Sequence, residues 1–518
     1  MMKFLLIKKR VIIIIAVLFI IILSLFQIIL YKNNYNNLIT LIKNKELKDI
    51  ESKGNSNPKI NFKEISELND ILYSSDSKSE TENDIIERIF NMIEGPINVE
   101  EFTELRKRIE IHTIFWKLIF ENYNTNEEIN NLKKYRNILI DSSSFLSQKK
   151  LKKLSNDKKI LATVHQSLYP WIYNHRFKSL ADIIKNSNGK GIVVCTGDKH
   201  FKFARSTIDT FRNVLKTKLP IEVFYYGEND LSKVNRNILT SYDEVYVTDI
   251  SKYFDNKVID ISGWAIKPFA ILASRFEEVI LIDADVVYLR DPIELFEDEG
   301  YIEKGTLFFR DRTLYPGSHP GSIWLKSWMI NPLPETKALR FWNEITAHEM
   351  ESSTVVMNKT KNILGLLATC KLNEKRIRED VVYKYVYGDK ETFWMGFDIA
   401  RQHYNMNSVP CTYIGETIQA GNDKILCGHI GHMLSNGKFM FWNGHIVKDK
   451  NKVINENSLI NFDSYFIDDD DGEWTPDLSC LKLKKDPTPL NDNELQNLNT
   501  ILNREKQNHF VIPELKVL

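Results

Sequence analysis

Two aspartates one residue apart, Asp283 and Asp285, follow an apolar run from Val279 to Ile282. Side chains alternate along extended chain, so acids at this spacing point roughly the same way. Such a pair can share a hard divalent cation, because Mg²⁺ and Mn²⁺ prefer oxygen ligands of this kind. A cation held there can neutralise a departing diphosphate. A strand-end turn with two solvated acids would read the same. Three features favour chemistry: the apolar strand before the pair, a second apolar run from Val286 to Leu289, and Asp291-Pro292, which starts a helix with proline in its first turn.

Other groups qualify by type and position. Thr306 to Phe309 is apolar and runs into Arg310-Asp311-Arg312. Two arginines around an aspartate can clamp a sugar hydroxyl and a diphosphate, or form a structural ion pair. Asp389 and Glu391 precede Trp394 and Gly396. Carboxylates hold sugar hydroxyls by charge-assisted hydrogen bonds, and Trp394 offers an apolar face. Helix capping and first-turn charge are the alternative for both acids. Thr196 and Gly197 form the turn after the apolar stretch Gly191 to Cys195, a natural place for the nucleotide part of a donor. The following Asp198 fits that role or an ordinary loop. Arg205 opens a helix, where its charge opposes the macrodipole. A phosphate, an acidic neighbour or solvent would account for it. His429 and His432 add imidazoles, which suit Mn²⁺ better than Mg²⁺, although a pair at this spacing also serves structure. The run Asp468 to Asp471 lacks the spacing of a calcium loop and reads as solvated.

The elements that must position these groups alternate. Gly191 to Cys195, Ile221 to Tyr226, Glu244 to Val247 and Val279 to Ile282 read as strands. Arg205 to Leu215 and Trp264 to Ser274 read as helices. Thr354 to Met357 is a further strand, and Gly365 to Ala368 continues a buried helix. This alternation predicts an α/β fold with a mostly parallel central sheet and ligands at the carboxyl ends of its strands.

Ahead of this region, Lys3, Lys8, Lys9 and Arg10 precede Val11 to Leu30, where Ser24 and Gln27 are the polar members. About twenty such residues span a bilayer. The basic flank keeps the N-terminus cytosolic, and no small-x-small cleavage site follows. The expected organisation is a tail at 1–10, a signal-anchor at 11–30, a polar stem at 31–84, a helical region at 85–184, a catalytic domain at 185–450 and a C-terminal extension at 451–518. Ile85, Ile89, Met92 and Ile93 carry the helical spacing of the fourth part.

The chain of 518 residues has 69 basic and 69 acidic side chains, so its formal net charge is zero. That argues against a nucleic-acid partner. Its five cysteines fit neither a disulfide scaffold nor a zinc pattern. Cys195 reads as a buried thiol. Cys370, Cys411, Cys427 and Cys480 could pair in a lumen, without assignable partners. Asn358-Lys359-Thr360 is a glycan acceptor signal if exposed.

Several segments together resemble the fungal Golgi α-1,3-mannosyltransferase family. They are Gly191 to Gly197, His200 to Arg205, Lys267 to Leu272, Ile282 to Asp285 and Leu307 to Arg312. The resemblance implies a GT-A-like fold, a GDP-mannose donor, Mn²⁺ and a mannose-ended glycan acceptor joined by an α-1,3 bond with retention. It implies a single-pass type II protein of the Golgi membrane, acting in protein glycosylation and cell-wall mannan synthesis, with a Golgi mannosyltransferase complex as a candidate partner. It makes Asp285 and His432 metal ligands, with Asp283 on the ribose or the metal. It places Glu351 at the entrance of the sugar pocket. In related retaining transferases of the glycogenin kind an acid lies near the anomeric carbon, so Asp389 and Glu391 become catalytic candidates. Thr196, Gly197, Arg205, Arg310, Asp311, Arg312 and Trp394 complete the donor site. Another nucleotide sugar, or a non-catalytic scaffold of the same fold, is the alternative.

Overall fold

The computed structural model describes residues 82–120 and 156–512, apart from 174, 178–179, 453, 456–457, 469–471 and 477. The expected anchor at Val11 to Leu30 and the stem up to residue 81 lie outside the described residues. Among the described residues no helix is long and apolar enough to cross a membrane.

The backbone divides into two compact units. The first takes Met1–Glu94, Phe115–Gln166 and Ser179–Ala181. Its described part is helical and includes Glu82–Glu94, where Ile89 and Ile93 are buried as their spacing predicts. The second takes Gly95–Ile114, Ser167–Lys178 and Asp182–Leu518 and holds every candidate site residue.

Seven strands open the second unit: β1 (Lys190–Cys195), β2 (Ile221–Tyr225), β3 (Val245–Asp249), β4 (Glu278–Asp283), β5 (Val286–Tyr288), β6 (Thr306–Arg310) and β7 (Met350–Asn358). Six of them form one sheet in the order β3-β2-β1-β4-β7-β6. The first four run parallel, as expected, and β1, β2 and β4 carry the near-continuous apolar runs of strands covered on both faces. β7 departs from the expectation, because it lies antiparallel to both β4 and β6. The sheet is therefore mixed. The reversal matters for function. The carboxyl ends of β1, β4 and β6 reach one edge, and β7 brings its beginning, Met350 to Ser353, to that same edge.

Helices cover this sheet. α1 (Phe201–Asp209) follows β1, and α2 (Ile266–Ala273) precedes β4, with every residue from Lys267 onwards buried. α3 (Ile363–Leu372) is buried throughout, and α4 (Lys390–Ile399) packs on it. Glycine allows that approach: a β-carbon on Gly396 would lie 2.6 Å from the Thr369 nitrogen.

A second sheet uses β8 (Thr412–Ala420), β9 (Asp423–Met433), β10 (Phe439–Asn443), β11 (Ser464–Ile467), β12 (Gly472–Trp474), β13 (Cys480–Leu483) and β14 (Thr488–Pro489). β10 joins it to the Asp-x-Asp region by pairing with β9 on one side and β5 on the other. The final helix α5 (Asp492–Asn508) adds Leu498 and Ile501 to the main core. The described residues after 451 are thus woven into the sheet and core. Cys427 and Cys480 form a disulfide between β9 and β13, while Cys195, Cys370 and Cys411 are free. Thr360 of the glycan acceptor signal is buried and donates to Glu277 and to Asn358 itself. The signal is therefore folded in rather than exposed.

Candidate active site

Lys267 sits at the centre of the acidic edge. It lies in the first turn of α2, in an otherwise apolar helix, and only 6% of it is exposed. Its ammonium lies 2.8 Å from Asp283 Oδ1 at the end of β4 and 3.8 Å from Asp389 Oδ2 just before α4. It also donates to the Ser352 carbonyl and hydroxyl at 3.1 and 3.2 Å. Ser352 in turn donates to Asp389 Oδ2 at 3.1 Å. One lysine therefore gathers two acids 106 positions apart (389 − 283).

Magnitudes decide whether those groups stay charged. Burial alone costs several kcal/mol per ion. An opposite charge at about 4 Å returns about 4 kcal/mol at an effective dielectric of about 20. With two carboxylates, the lysine gains more than burial removes, and its pKa is raised despite burial. Asp283 is pushed up to about 6, by burial first, against the pull of Lys267 and with the repulsion of Asp285. Burial also raises Asp389, with Lys267 and Ser352 opposing it.

Asp285 has a different partner. Its carboxylate pairs with Lys450, from the segment after β10. Burial would raise its pKa, but Lys450 outweighs burial and holds it low. Its carbonyl accepts from the backbone N–H groups of Gly444 and His445, at 3.1 and 2.7 Å. The neighbouring Ala284 and Val286 carbonyls accept from Thr207 on α1. The turn carrying the two acids is thus fixed from both sides.

His432 goes to Glu351. Its Nε2 lies 3.2 Å from Glu351 Oε2, with its ring against Phe309 and Phe441. Glu351 also accepts from Ser353 and from Asn443 Nδ2. The histidines whose charge would act on Asp285 are His200, His429 and His445. Burial pushes His429 down to about 4 and His445 down to about 3, so both rings are neutral near pH 7.

A divalent cation needs a set of ligands free to face it. Asp283 and Asp285 are each engaged by an ammonium group, and the expected imidazole is hydrogen-bonded to Glu351. Among the described residues no group of three His, Cys, Asp or Glu side chains is placed to hold a metal ion. As arranged, the residues do not fit the expected Asp283, Asp285 and His432 site, and no step below passes through a metal.

The remaining candidates separate. Thr196 and Gly197 end β1 beside β4, in register with the approach to Asp283. A β-carbon on Gly197 would strike Asp230 at 2.2 Å, so glycine is required there. Asp198 faces away and accepts from Ser232 and Asn235 as a loop brace. Arg205 packs its guanidinium 4.8 Å from the Phe510 ring and hydrogen-bonds Tyr242, remote from the acids in its contacts. Asp311 is a buried ion pair with Lys390 at 2.6 Å. Burial works against its charge, but Lys390 and Arg312 hold its pKa down to about 2. Arg312 donates to the Leu478 carbonyl and stacks over Trp474. Arg310 is half-buried near Glu349, and burial lowers its pKa.

Two candidates are core. Glu391 is fully buried and accepts from the Glu349 N–H at 2.9 Å and from Trp394 Nε1 at 2.5 Å. Burial pushes it up to about 7. Trp394 is 0% exposed and offers no face to a sugar. The helical period explains both, since positions three apart lie on one face, here the face of α4 turned into the core. Asp389 precedes α4 without capping it by its side chain, which leaves its carboxylate for Ser352 and Lys267. Asp468 also differs from the expected solvated loop: it is buried and accepts from the Thr313 N–H at 2.6 Å.

Sequence reasoning missed Lys267, Ser352, Lys390 and Lys450. A lone lysine inside an apolar helix was a legible signal for Lys267. Nothing in Lys448-Asp449-Lys450-Asn451-Lys452 distinguished Lys450 from its neighbours.

Parts of the chain resemble known proteins. The sequence model of a family described as "Mannosyltransferase putative" matches residues 189–434. Alpha-1,3-mannosyltransferase MNT3 of Saccharomyces cerevisiae is 27% identical over 299 residues, covering 50% of this chain and 46% of MNT3. A Candida albicans protein named "Putative alpha-1,3-mannosyltransferase MNN15" is 27% identical over 354 residues, covering 55% of this chain and 45% of its own. The chain thus spans about half the length of the curated relatives it matches. Among solved structures, mannosyltransferase Ktr4p from S. cerevisiae superposes with a TM-score of 0.27 at 10% identity, over 61% of this chain and 82% of Ktr4p. That superposition is too loose to build on. Residues 189–434, which hold every carboxylate of this site, match that family model, and the chain resembles fungal α-1,3-mannosyltransferases over about half its length.

Proposed function

We propose that this protein transfers mannose from GDP-mannose to a mannose-ended glycan, forming an α-1,3 bond. The observation that carries the reading is the convergence of Asp283, Asp389 and Ser352 on Lys267 at one sheet edge, inside the segment that matches the family. The turn at Thr196 and Gly197 reaches the same edge and suits the nucleotide.

The chemistry follows from the groups present. The acceptor oxygen forms a bond to the anomeric carbon as the bond to the diphosphate oxygen breaks. The acceptor proton passes to the departing phosphate on the same face, so an α donor gives an α product. Asp389, held by Ser352 and Lys267, orients sugar hydroxyls. As a nucleophile it would instead bond the anomeric carbon as the diphosphate leaves. The acceptor oxygen would then break that bond and free the carboxylate, the acceptor proton passing to the diphosphate. Glu391 has both oxygens committed in the core and serves structure. The proposal extends to a type II protein with residues 1–10 cytosolic and the enzyme in the Golgi lumen, motivated by the basic flank and the apolar run to Leu30. N-terminal sequencing of the mature protein checks it, and a start near residue 31 overturns it.

Radiolabelled GDP-mannose with α-mannobiose, with and without Mn²⁺, tests the transfer. Labelled trisaccharide with an α-1,3 bond is the expected product. Transfer from another nucleotide sugar instead, or inertness of a folded protein, overturns the reading. Activity that survives chelation agrees with the occupied acids of the site, and loss on chelation restored by Mn²⁺ would show that these acids rearrange to bind a metal.

A further inference from the structure

The fully buried Trp394 leaves the site without the aromatic face that a sugar ring uses, yet two other rings lie open beside it. Trp264 is 50% exposed and Tyr387 is 61% exposed. Their centroids are 5.3 Å apart, with planes inclined by 45°. Single exposed apolar residues are ordinary. Two large aromatic rings in mutual contact at the edge of a buried charge cluster are not explained by packing, since each still gives half or more of its surface to water.

Their chain positions tie them to the chemistry. Trp264 is three residues before Lys267, and Tyr387 is two residues before Asp389. The ring contact therefore bridges the two segments whose charged groups meet at 3.8 Å. The backbone is shaped for it. Gly388 has φ +66°, and a β-carbon there would lie 2.8 Å from Trp264 Cε3, so the indole rests directly on the chain. Polar groups rim the pair. Lys390 lies 5.5 Å over Tyr387, and His348 meets the same ring edge-on, its own Nδ1 without a hydrogen-bond partner.

We infer that Trp264 and Tyr387 form the platform on which the acceptor glycan stacks. A pyranose has an apolar face of C–H groups and a rim of hydroxyls. The C–H groups suit the negative faces of the rings. Sheet order favours the acceptor over the nucleotide base. The Thr196 turn reaches β4 from the β1 side, whereas Tyr387 and His348 belong to the opposite, β7 side. The inference rests on the mannosyl-transfer reading for the identity of the glycan, but not for the presence of a glycan site.

The test uses the purified full chain in two arms. In the first, α-mannobiose is titrated without any donor and followed by saturation-transfer NMR. Trp264→Ala and Tyr387→Ala should each weaken binding about tenfold, the effect of losing one favourable ring contact. Tyr387→Phe keeps the ring and should bind like the parent. In the second arm, steady-state transfer should show the acceptor KM raised about tenfold in the two alanine variants, with kcat changed less than about twofold. Ile330→Ala, an exposed apolar residue outside the pair, should leave the acceptor KM alone. Parental binding by Trp264→Ala overturns the platform. So does a rise in the inhibition constant of GDP in place of the acceptor effect, which would make the pair a base-stacking site. A change in oligomeric state with acceptor binding intact also overturns it, in favour of a protein interface. If no donor is turned over but mannobiose binding still depends on the rings, the platform stands and the transfer reading falls.

Discussion

Two lysines hold the two aspartates of the Asp-x-Asp turn, and they do so in different ways. Lys267 is buried, comes from a rigid helix and contacts Asp283, Asp389 and both oxygens of Ser352. Lys450 comes from the loop after β10, keeps 40% of its side chain exposed and has Asp285 as its ion-pair partner. The first is a structural charge that cannot leave without stranding the buried Asp389 and its partly exposed partner Asp283. The second is a counterion at the solvent boundary, screened and exchangeable. Under the proposed transfer from a diphosphate donor both kinds serve: acids whose charge is already balanced, and a cation that can turn towards an incoming anion.

Removing Lys267 should have the largest effect. Lys267→Met leaves the buried Asp389 and the partly exposed Asp283 without their cation, and breaking a buried pair costs about 3–5 kcal/mol. Urea unfolding should show that loss, together with near-complete loss of transfer. A variant as stable as the parent would mean that the two acids are neutral in the folded protein. The next effect is on chemistry alone. Asp389→Asn should lower kcat by at least about 100-fold, within the range for a positioned acid-base or nucleophilic group, while Lys267 keeps Asp283 and the fold persists. Retained turnover would move the catalytic role elsewhere on the edge.

Glu391 sharpens the contrast, because it has no ammonium in hydrogen-bond contact. Its carboxyl is raised from 4.5 to about 7, chiefly by burial. The folded protein therefore binds that proton more tightly than the unfolded chain. Stability from this group is fully present below pH 4.5 and is lost as pH rises through 7. Glu391→Gln should flatten the stability profile across that window by on the order of 3 kcal/mol. Asp311, held down to about 2 by Lys390, should act in the opposite sense, losing its contribution only as pH falls below the ordinary range of an aspartate near 3.8. A profile unchanged by Glu391→Gln would show that Glu391 is ionised when folded. The smallest effect belongs to Lys450. Lys450→Ala should destabilise less than Lys267→Met, because its ammonium is 40% exposed although Asp285 is buried, and that change should shrink with added salt. A loss as large as that of Lys267→Met would erase the distinction between the two lysines.

The sequence by itself determined the strands and helices of the first sheet, because their apolar runs and turn residues are local. It also determined the family segment and the acids at the strand ends. Residues whose placement depends on local sequence were legible in position: Asp283 and Asp285 at and just after the end of β4, Thr196 and Gly197 just after β1. Tertiary structure alone decided which acid faces the site. Asp389 and Glu391 are two residues apart and equivalent in type, yet α4 turns one towards Lys267 and the other into the core. It decided that β7 runs backwards and so delivers Ser352 and Glu351 to the acidic edge. It sent His432 to Glu351 and Arg205 to Phe510. It chose Lys450 from three lysines that composition cannot tell apart. In each case the deciding quantity is a distance between residues tens to hundreds of positions apart, fixed by how sheets and helices pack rather than by any pattern along the chain.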